Sequence, residues 1–272
     1  MFYYQIAIIF IFGLIIGSFL NCLIWRLYRE EKVSGRSYCP KCGNKIKWRD
    51  NIPVLSFCLL SGRCRACGKP ISWQYPAVEL IAGILFLTVF IKNFSVAGGN
   101  IYFQGQLPAA ILLLRDWFII SAMLVIFIYD LRWYLILDKV TLPAMAIVLI
   151  FNIILGILAG NILINLFIYL ISGIIGGSFF LIQFLISKGR WIGGGDIRLG
   201  FLMGLVLGWP YILEAIFLAY LAGSIVGVGL MIAGRKQWGS KIPLGAFLAP
   251  AAIAVLLWGK EILEWYFQLF QI

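Results

Sequence analysis

Two aspartates stand at the ends of apolar stretches, where a charged carboxylate is costly. Asp196 follows three glycines in WIGGGDIRLG, and Asp130 closes the apolar run AMLVIFIYD. Two carboxylates that meet at the rim of a low-dielectric site share a proton, so one serves as the acid and the other as the base that activates water. Asp130 and Asp196 therefore form a candidate catalytic pair for hydrolysis.

The glycines before Asp196 leave a second interpretation open. Without side chains they permit a positive φ and let an extended peptide approach closely, as a protease requires when its substrate must unwind. Alternatively, they form a flexible start to a helix that Asp196 caps near its positive N-terminus. The position of Asp130 at the same predicted membrane level favours the catalytic interpretation.

Four other acids lie in or beside apolar segments and are functional candidates for the same reason. Asp138 precedes KVTLPAM and is expected to be the N-cap of a helix. Glu79 is expected to be an acid in the first turn of a helix. Asp116 has Arg115 beside it as a partner, and Glu214 lies with Asp116 toward the outer side of the membrane.

The sequences CPKCG and CRACG each contain a Cys-x-x-Cys turn followed by glycine, with 21 residues between the two pairs. Four thiolates at this spacing predict a structural Zn²⁺ site that has no open position for catalysis. The predicted metal ligands are Cys39, Cys42, Cys64 and Cys67. A redox or disulfide role is the alternative, and a cytoplasmic location argues against it. Cys22 and Cys58 lie in apolar surroundings and are expected to be buried packing residues.

The composition is that of a polytopic membrane protein. Of the 272 residues, 62% are hydrophobic and 12% are charged, and there is no histidine. The missing histidine excludes hydrolases with a histidine base and histidine-ligated metal catalysis. Acid–base chemistry must therefore come from the carboxylates, lysines, tyrosines or cysteines.

Hydropathy predicts an all-α fold with about eight transmembrane helices. The predicted spans are 5–25, 77–96, 109–129, 139–158, 162–186, 197–210, 211–233 and 244–259. We expect three parts: a first transmembrane helix over 1–25, a tetracysteine, zinc-ribbon-like insert over 26–76 and a seven-helix core over 77–272. The sixth span is short, and almost no loop separates it from the seventh.

Basic residues predict the orientation in the membrane. Residues 26–75 hold eleven Lys/Arg and three acids, a net charge of +8, so this segment is expected to be cytoplasmic. The predicted cytoplasmic loops together hold 19 Lys/Arg, whereas only Lys92, Arg115 and Lys260 lie near the outer face. Both termini are then expected to face outward. We attribute the excess charge to topology and to anionic lipid rather than to nucleic-acid binding.

An ordered set of short motifs resembles the type IV prepilin peptidases, which are bifunctional leader peptidases and N-methyltransferases of bacterial inner membranes. The motifs are Gly17-Ser18-Phe19-Leu20-Asn21 with Arg26, the two cysteine pairs, Asn51-Ile52-Pro53 with Ser56, Tyr75-Pro76 with Glu79, Asp130 with Asp138, Gly193-x-Gly195-Asp196 with Arg198, and Ile242-Pro243-Leu244-Gly245. The resemblance covers nearly the whole chain.

The resemblance implies an intramembrane aspartyl protease of the Gly-x-Gly-Asp type, with Asp130 and Asp196 as its catalytic pair. The supporting residues around that pair would be Gly193, Gly195, Arg198 and Pro243. Such enzymes cleave the basic leader from prepilins and pseudopilins on the cytoplasmic side. They then methylate the new N-terminus with S-adenosylmethionine. The sequence contains no glycine-rich nucleotide fingerprint, so the residues that bind this cofactor are not identified.

Two departures from the family pattern lie outside the catalytic groups. Leu137 stands where a proline is usual before the second acid, and Gln74 stands where an arginine often precedes Tyr-Pro.

A proton-coupled transporter with buried carboxylates is the alternative function, although only one glycine-rich break is present and such folds carry matching breaks in both halves. A membrane-tethered zinc-ribbon module would not need eight spans. The sequence identifies neither the pilus or secretion system served nor the oligomeric state.

Overall fold

The computed structural model describes residues 2–97, 100–103, 106–235, 237 and 242–269. Within these residues the α-helices are α1 (Phe2–Arg29), α2 (Leu55–Leu59), α3 (Gln74–Asn93), α4 (Gln106–Trp133), α5 (Asp138–Leu158), α6 (Ile162–Ser187), α7 (Gly194–Leu207), α8 (Tyr211–Ile232) and α9 (Gly245–Leu269). A 3-10 helix covers Trp48–Asn51, and two strands, β1 (Phe94–Ala97) and β2 (Asn100–Phe103), form an antiparallel pair.

Seven helices in the described part of the chain are long and apolar enough to cross a membrane. They are α1, α3, α4, α5, α6, α8 and α9, and they correspond to seven of the eight predicted spans. The predicted fold class, a helical multi-pass membrane protein with a cysteine-rich insert after the first helix, is confirmed.

The predicted sixth span corresponds to α7, which differs from the other membrane helices. It has 14 residues, a rise of about 21 Å, whereas the hydrocarbon core is about 30 Å thick. The helix ends at Leu207, and the next residue, Gly208, has φ 73° and ψ −177°, backbone angles that glycine adopts and other residues rarely do. Nine of its 14 residues are buried, so α7 is an interior helix rather than a lipid-facing span.

The second predicted span extends past the end of the observed helix. That span was expected to reach residue 96, but α3 ends at Asn93 and β1 begins at the next residue. Phe94 pairs with Phe103 in the antiparallel ladder. Aromatic and β-branched residues in 94–103 favour a strand over a helix at this point.

The chain divides into two compact units, Met1–Gln104 and Gly105–Ile272. In the first unit, α1 and α3 pack closely because glycines face the partner backbone. A methyl group at Gly17 would lie 2.7 Å from the Cα atom of Glu79, and one at Gly13 would lie 2.7 Å from the Cα atom of Gly83. Small residues at helix interfaces permit this approach in membranes. The predicted boundaries of the 26–76 insert and the 77–272 core stay a prediction.

In the second unit, α7 packs against α5, α6, α8 and α9. A methyl group at Gly200 or Gly204 would overlap the backbone of α6, so these glycines set the close contact between α6 and α7. The side-chain amide of Asn152 in α5 donates to the carbonyl of Leu205 in α7, with an N–O distance of 2.8 Å. These contacts hold the helix whose first turn carries Asp196.

Candidate active site

Asp130 lies in the last turn of α4 and is only 4% exposed. Its Oδ2 atom accepts a hydrogen bond from the backbone N–H of Ala246 at 2.9 Å, in the first turn of α9. A methyl group at Gly245 would lie 2.9 Å from the same oxygen. The absence of a side chain at Gly245 therefore allows the carboxylate to reach the N-terminus of α9.

The first turn of α9 also supports the Asp130 carboxylate electrostatically. Asp130 sits at the C-terminal end of its own helix, where the partial charge of the helix dipole is negative. The unpaired N–H groups at the start of α9 carry the opposite partial charge. The hydrogen bond from Ala246 thus places a buried carboxylate at a compensating helix end.

Asp196 is the third residue of α7 and is 8% exposed. Its Oδ2 atom accepts a hydrogen bond from the backbone N–H of Gly193 at 2.8 Å, which is one half of a capping box. The capping interpretation considered from the sequence is therefore observed. It is compatible with a catalytic role, because this hydrogen bond uses only one of the two carboxylate oxygens.

The structure places the two turns that hold the predicted aspartates against one side chain. Gly195, beside Asp196, and Gly245, which lies against the Asp130 carboxylate, both contact Ile136, and both carboxylates are buried. Each is bound by backbone N–H at the start of a helix, α9 for Asp130 and α7 for Asp196. Two carboxyl groups in such an environment can divide the roles of acid and base.

For the three glycines before Asp196, the expectation of a positive φ is wrong, whereas close approach of an extended peptide stays a prediction. None of them has a positive φ, and Gly193 has φ −88° and ψ 160°, an extended conformation open to any residue. Gly195 is needed for close packing, since a methyl group there would lie 2.8 Å from Cβ of Ile136. At Gly193 and Gly194 the nearest atoms would lie 3.6 and 3.9 Å from such a methyl group, which is ordinary contact.

Arg198, the fifth residue of α7, forms an ion pair with Asp138 at the start of α5. The prediction that Asp138 is an N-cap is wrong: Leu137 occupies the cap position, and Asp138 is the first residue of α5. The carbonyl of Leu137 accepts the N–H groups of Val140 and Thr141 at the start of the helix, and the Asp138 carboxylate pairs with Arg198. Pro243 is half-buried and lies two residues before α9.

In the first unit, Glu79 is buried and accepts a hydrogen bond from the insert, so the prediction that it is a first-turn acid is wrong. It is the sixth residue of α3, because the helix begins at Gln74, and its Oε2 atom accepts the N–H of Val54 at 2.7 Å. Val54 has φ 60°, so the hydrogen bond holds an unusual backbone conformation in the insert. Sequence reasoning missed this contact, although Glu79 belongs to the set of motifs described above.

Other motif residues of the first unit also fix the insert. Asn21 of α1 donates to the carbonyl of Tyr75 at 3.1 Å and accepts from the amide of Gln74 at 3.2 Å. Arg26 is buried and donates to the carbonyls of Val33, Gly35 and Arg36. These contacts are structural: they set where the insert leaves α1 and where it rejoins α3.

The four predicted metal ligands lie together. The Sγ atoms of Cys39, Cys42, Cys64 and Cys67 are all within 4.8 Å of one another. Four sulfurs around a tetrahedral zinc with ~2.3 Å bonds would be ~3.8 Å apart, so this donor set fits a metal ion.

The two cysteine turns have the same hydrogen-bond pattern. The backbone N–H of Gly43 donates to the carbonyl of Cys39, and that of Gly68 donates to the carbonyl of Cys64, each at 2.8 Å. Both glycines have a positive φ. The N–H groups of Cys67 and Ala66 donate to the Cys64 sulfur and lower the pKa of this thiol to about 7. A lowered thiol pKa favours the thiolate, which is the form that binds metal.

The expectation for the other cysteines was wrong for Cys58. It is exposed in the short helix α2, where Ser56 is the buried residue. Cys22 is partly exposed. The apolar neighbours of Cys58 misled the prediction because a five-residue helix does not bury both of its faces.

The two acids expected toward the outer side differ in their surroundings. Asp116 is paired with Arg115 at 2.9 Å, and both residues are buried. Glu214 is also buried, and neither of its carboxylate oxygens has a hydrogen-bond partner among the described residues. Among the described residues, no hydrogen bond joins Asp116 or Glu214 to Asp130 or Asp196.

Comparison with known proteins identifies the family. Residues 11–93 match the bacterial peptidase A24 N-terminal domain, and residues 117–228 match the type IV leader peptidase family. The chain belongs to the type IV leader peptidase family. The resemblance inferred from the motifs is thereby confirmed, and the second match includes both Asp130 and Asp196.

Three curated relatives are similar over nearly their full length, and each bears the name prepilin leader peptidase/N-methyltransferase. The protein of Aeromonas hydrophila is 33% identical, with 96% of this chain and 93% of the relative covered. The protein of Bacillus subtilis is 30% identical, with 97% of this chain and 99% of the relative covered. The protein of Legionella pneumophila is 29% identical over 97% of this chain and 95% of the relative. No solved structure gives a significant match.

Proposed function

We propose that this protein is an intramembrane aspartyl endopeptidase that removes the leader of prepilins or pseudopilins and then N-methylates the new N-terminus. The observation that carries the peptidase assignment is the pair of buried aspartates, each bound at the start of a helix, with both helix starts packed against Ile136. The names of the relatives support the substrate class.

The chemistry needs one ionised and one protonated carboxyl group in the Asp130–Asp196 pair. The ionised group takes a proton from water as the water oxygen attacks the scissile carbonyl carbon. The protonated group donates a hydrogen bond to the carbonyl oxygen, and the resulting tetrahedral intermediate collapses as a proton passes to the leaving amine. Burial of both groups excludes bulk water, which strengthens these interactions.

The methyltransferase activity rests on the names of the relatives, and S-adenosylmethionine would supply the methyl group. The sequence carries no glycine-rich nucleotide fingerprint, so we assign no residue to this cofactor and derive no step through it.

The four-cysteine cluster supports a structural Zn²⁺ in the insert. Thiolates are ligands that zinc prefers, and four of them leave no site for a catalytic water. Cys39, Cys42, Cys64 and Cys67 would hold the ion, and its role would be to fold the insert.

We place the protein in the bacterial inner membrane with the insert and the aspartate pair on the cytoplasmic side and both termini facing outward. The distribution of basic residues supports this orientation. The same residues would contact anionic lipid at the inner leaflet, and we propose no nucleic-acid partner. The basic leader of a prepilin would be repelled by the insert, so we propose that recognition involves the apolar substrate helix.

The decisive experiment measures cleavage of a model prepilin by purified Asp130→Asn and Asp196→Asn variants, with Asp138→Asn as the matched control. Asparagine keeps the shape of aspartate but cannot exchange a proton with water, so each of the first two variants should be inactive. Asp138 is about half exposed in its ion pair with Arg198, and such a pair contributes about 1 kcal/mol or less. Its variant should therefore cleave at nearly the wild-type rate.

Methylation of an already processed pilin separates the two activities. It should survive Asp130→Asn and Asp196→Asn, because methyl transfer does not require the aspartate pair. Cleavage by all three variants would refute the aspartyl mechanism. An inactive Asp138→Asn with an active Asp130→Asn would mean that the partner of Asp196 is Asp138. The family match does not favour the transporter alternative. Only ion-coupled transport observed in proteoliposomes would support it.

A further inference from the structure

The segment 134–137 connects α4, which carries Asp130, to α5. It leaves α4 through Tyr134, which has a left-handed φ of 57° and donates its N–H to the carbonyl of Asp130 at 2.8 Å. Two residues later the chain presents Ile136, which is half-buried. This short connection keeps Ile136 at a fixed place relative to the end of α4.

Ile136 contacts the first turns of two helices at once. A methyl group at Gly195 in α7 would lie 2.8 Å from Cβ of Ile136 and 3.5 Å from its Cγ1 atom. A methyl group at Gly245 in α9 would lie 3.1 Å from Cδ1 of the same side chain. Ile136 therefore lies directly against the backbone at two glycines, and different parts of its side chain reach each one.

These two first turns are the ones that hold the aspartates. The first turn of α7 contains Asp196 and the N–H of Gly193 that binds it. The first turn of α9 provides the N–H of Ala246 that binds Asp130. A displacement of either turn would therefore move a carboxylate or its hydrogen-bond donor.

We propose that Ile136 is a positioning residue that sets the separation of Asp130 and Asp196 by packing between Gly195 and Gly245. The assignment rests on the proposed catalytic pair. A β-branched side chain suits this role because its χ1 angle is restricted, so its branches keep fixed directions. Glycine at both contact points brings the backbone, rather than a flexible side chain, against the isoleucine.

The test compares three variants in prepilin cleavage. Ile136→Ala removes every side-chain atom beyond Cβ. Ile136→Val removes the Cδ1 atom that faces Gly245 but keeps the branched part that faces Gly195. Leu135→Ala is the control, because it removes the same number of carbons from the adjacent residue, whose side chain is 57% exposed.

We expect Ile136→Ala to lower kcat by about 10- to 100-fold, since a misplacement of about 1 Å can cost 100-fold in rate. KM should stay within about twofold of wild type, because the separation of the carboxylates affects the reaction rather than substrate binding. Ile136→Val should give an intermediate loss, and Leu135→Ala should retain the wild-type kcat.

The pH–rate profile provides a readout that a merely structural role would not change. Two interacting carboxylates titrate in two separated steps, and the separation shrinks as they move apart. The acid and alkaline limbs of the profile should therefore move toward each other in Ile136→Ala, measured on protein that elutes as a single folded species. Methylation of processed pilin by the same preparation should be unchanged.

A wild-type kcat and pH profile in Ile136→Ala would overturn the proposal. So would a loss of activity that only follows the loss of folded protein and leaves the pH profile of the remaining enzyme unchanged. Failure of the proposed function looks different: Asp130→Asn and Asp196→Asn would then both cleave the substrate. If those two variants are inactive while Ile136→Ala is normal, the catalytic pair stands and the role of Ile136 is refuted.

Discussion

Replacing Gly245 with alanine should lower the rate of peptide cleavage without unfolding the protein. Gly245 is the first residue of α9, and a methyl group there would lie 2.9 Å from Oδ2 of Asp130 and 3.1 Å from its Cγ atom. Ordinary contact begins at 3.4 Å, so the carboxylate would have to retreat by about 0.5 Å. The 2.9 Å hydrogen bond from Ala246 to the same oxygen would then be stretched or lost.

The size of the effect follows from that hydrogen bond. A bond to a charged group contributes about 1.5–3 kcal/mol, and each ~1.4 kcal/mol of barrier is a tenfold change in rate. Gly245→Ala should therefore lower kcat by about 10- to 100-fold. Alanine is the better helix former, so the loss should not come from an unstable α9.

Gly194→Ala is the matched control. Gly194 is also the first residue of its helix, but the nearest atom to an added methyl group would be Nη2 of Arg198 at 3.9 Å. Single-turnover cleavage of a model prepilin, read by mass spectrometry, gives the rate of each variant, and thermal unfolding in detergent checks the fold. Equal rates for the two variants, whether both normal or both low, would refute this account of Gly245.

Two further predictions concern stability. Protein purified without chelators should contain about one Zn²⁺ per chain by elemental analysis, and Cys39→Ser should lower both the metal content and the unfolding temperature of the insert; metal-free wild-type protein of normal stability would contradict this. Asp116→Asn should destabilise the protein by about 3–5 kcal/mol in thermal unfolding, because it leaves the buried Arg115 charge without its partner. The double change Arg115→Met with Asp116→Leu should cost much less, and an equal cost would show that the ion pair itself is stabilising.

Seven membrane helices could be predicted from the sequence because their signal is local. Each needs a long apolar stretch, and any window of sufficient length reveals it. The helix α7 was placed less well, since its limits depend on tertiary contacts. Its glycines pack against α6, and it ends where Gly208 takes a positive φ of 73°.

The candidate catalytic pair could be predicted in part for a different reason. Asp130 and Asp196 are conspicuous because charges are rare in apolar segments. Their hydrogen bonds are not local in the same way: the donor to Asp130 is the N–H of Ala246, 116 residues away. Sequence spacing also misassigned Asp138, since a first-turn acid and an N-cap acid look alike until the partner, Arg198, is placed.

Glycine is the residue type whose role the sequence described least well. Three glycines in a row suggest freedom of φ, yet the glycine that matters for packing beside Asp196 is Gly195, and it matters because Ile136 occupies the space of a side chain. Gly245 has the same role beside Asp130. A glycine with a positive φ excludes larger residues because of its own backbone angles. Gly195 and Gly245 instead exclude a side chain because a specific neighbour occupies the space. The two requirements differ in their remedy: Ile136→Gly, which removes the Cβ atom 2.8 Å from an added methyl group at Gly195, should relieve that contact, but it could not relieve backbone strain.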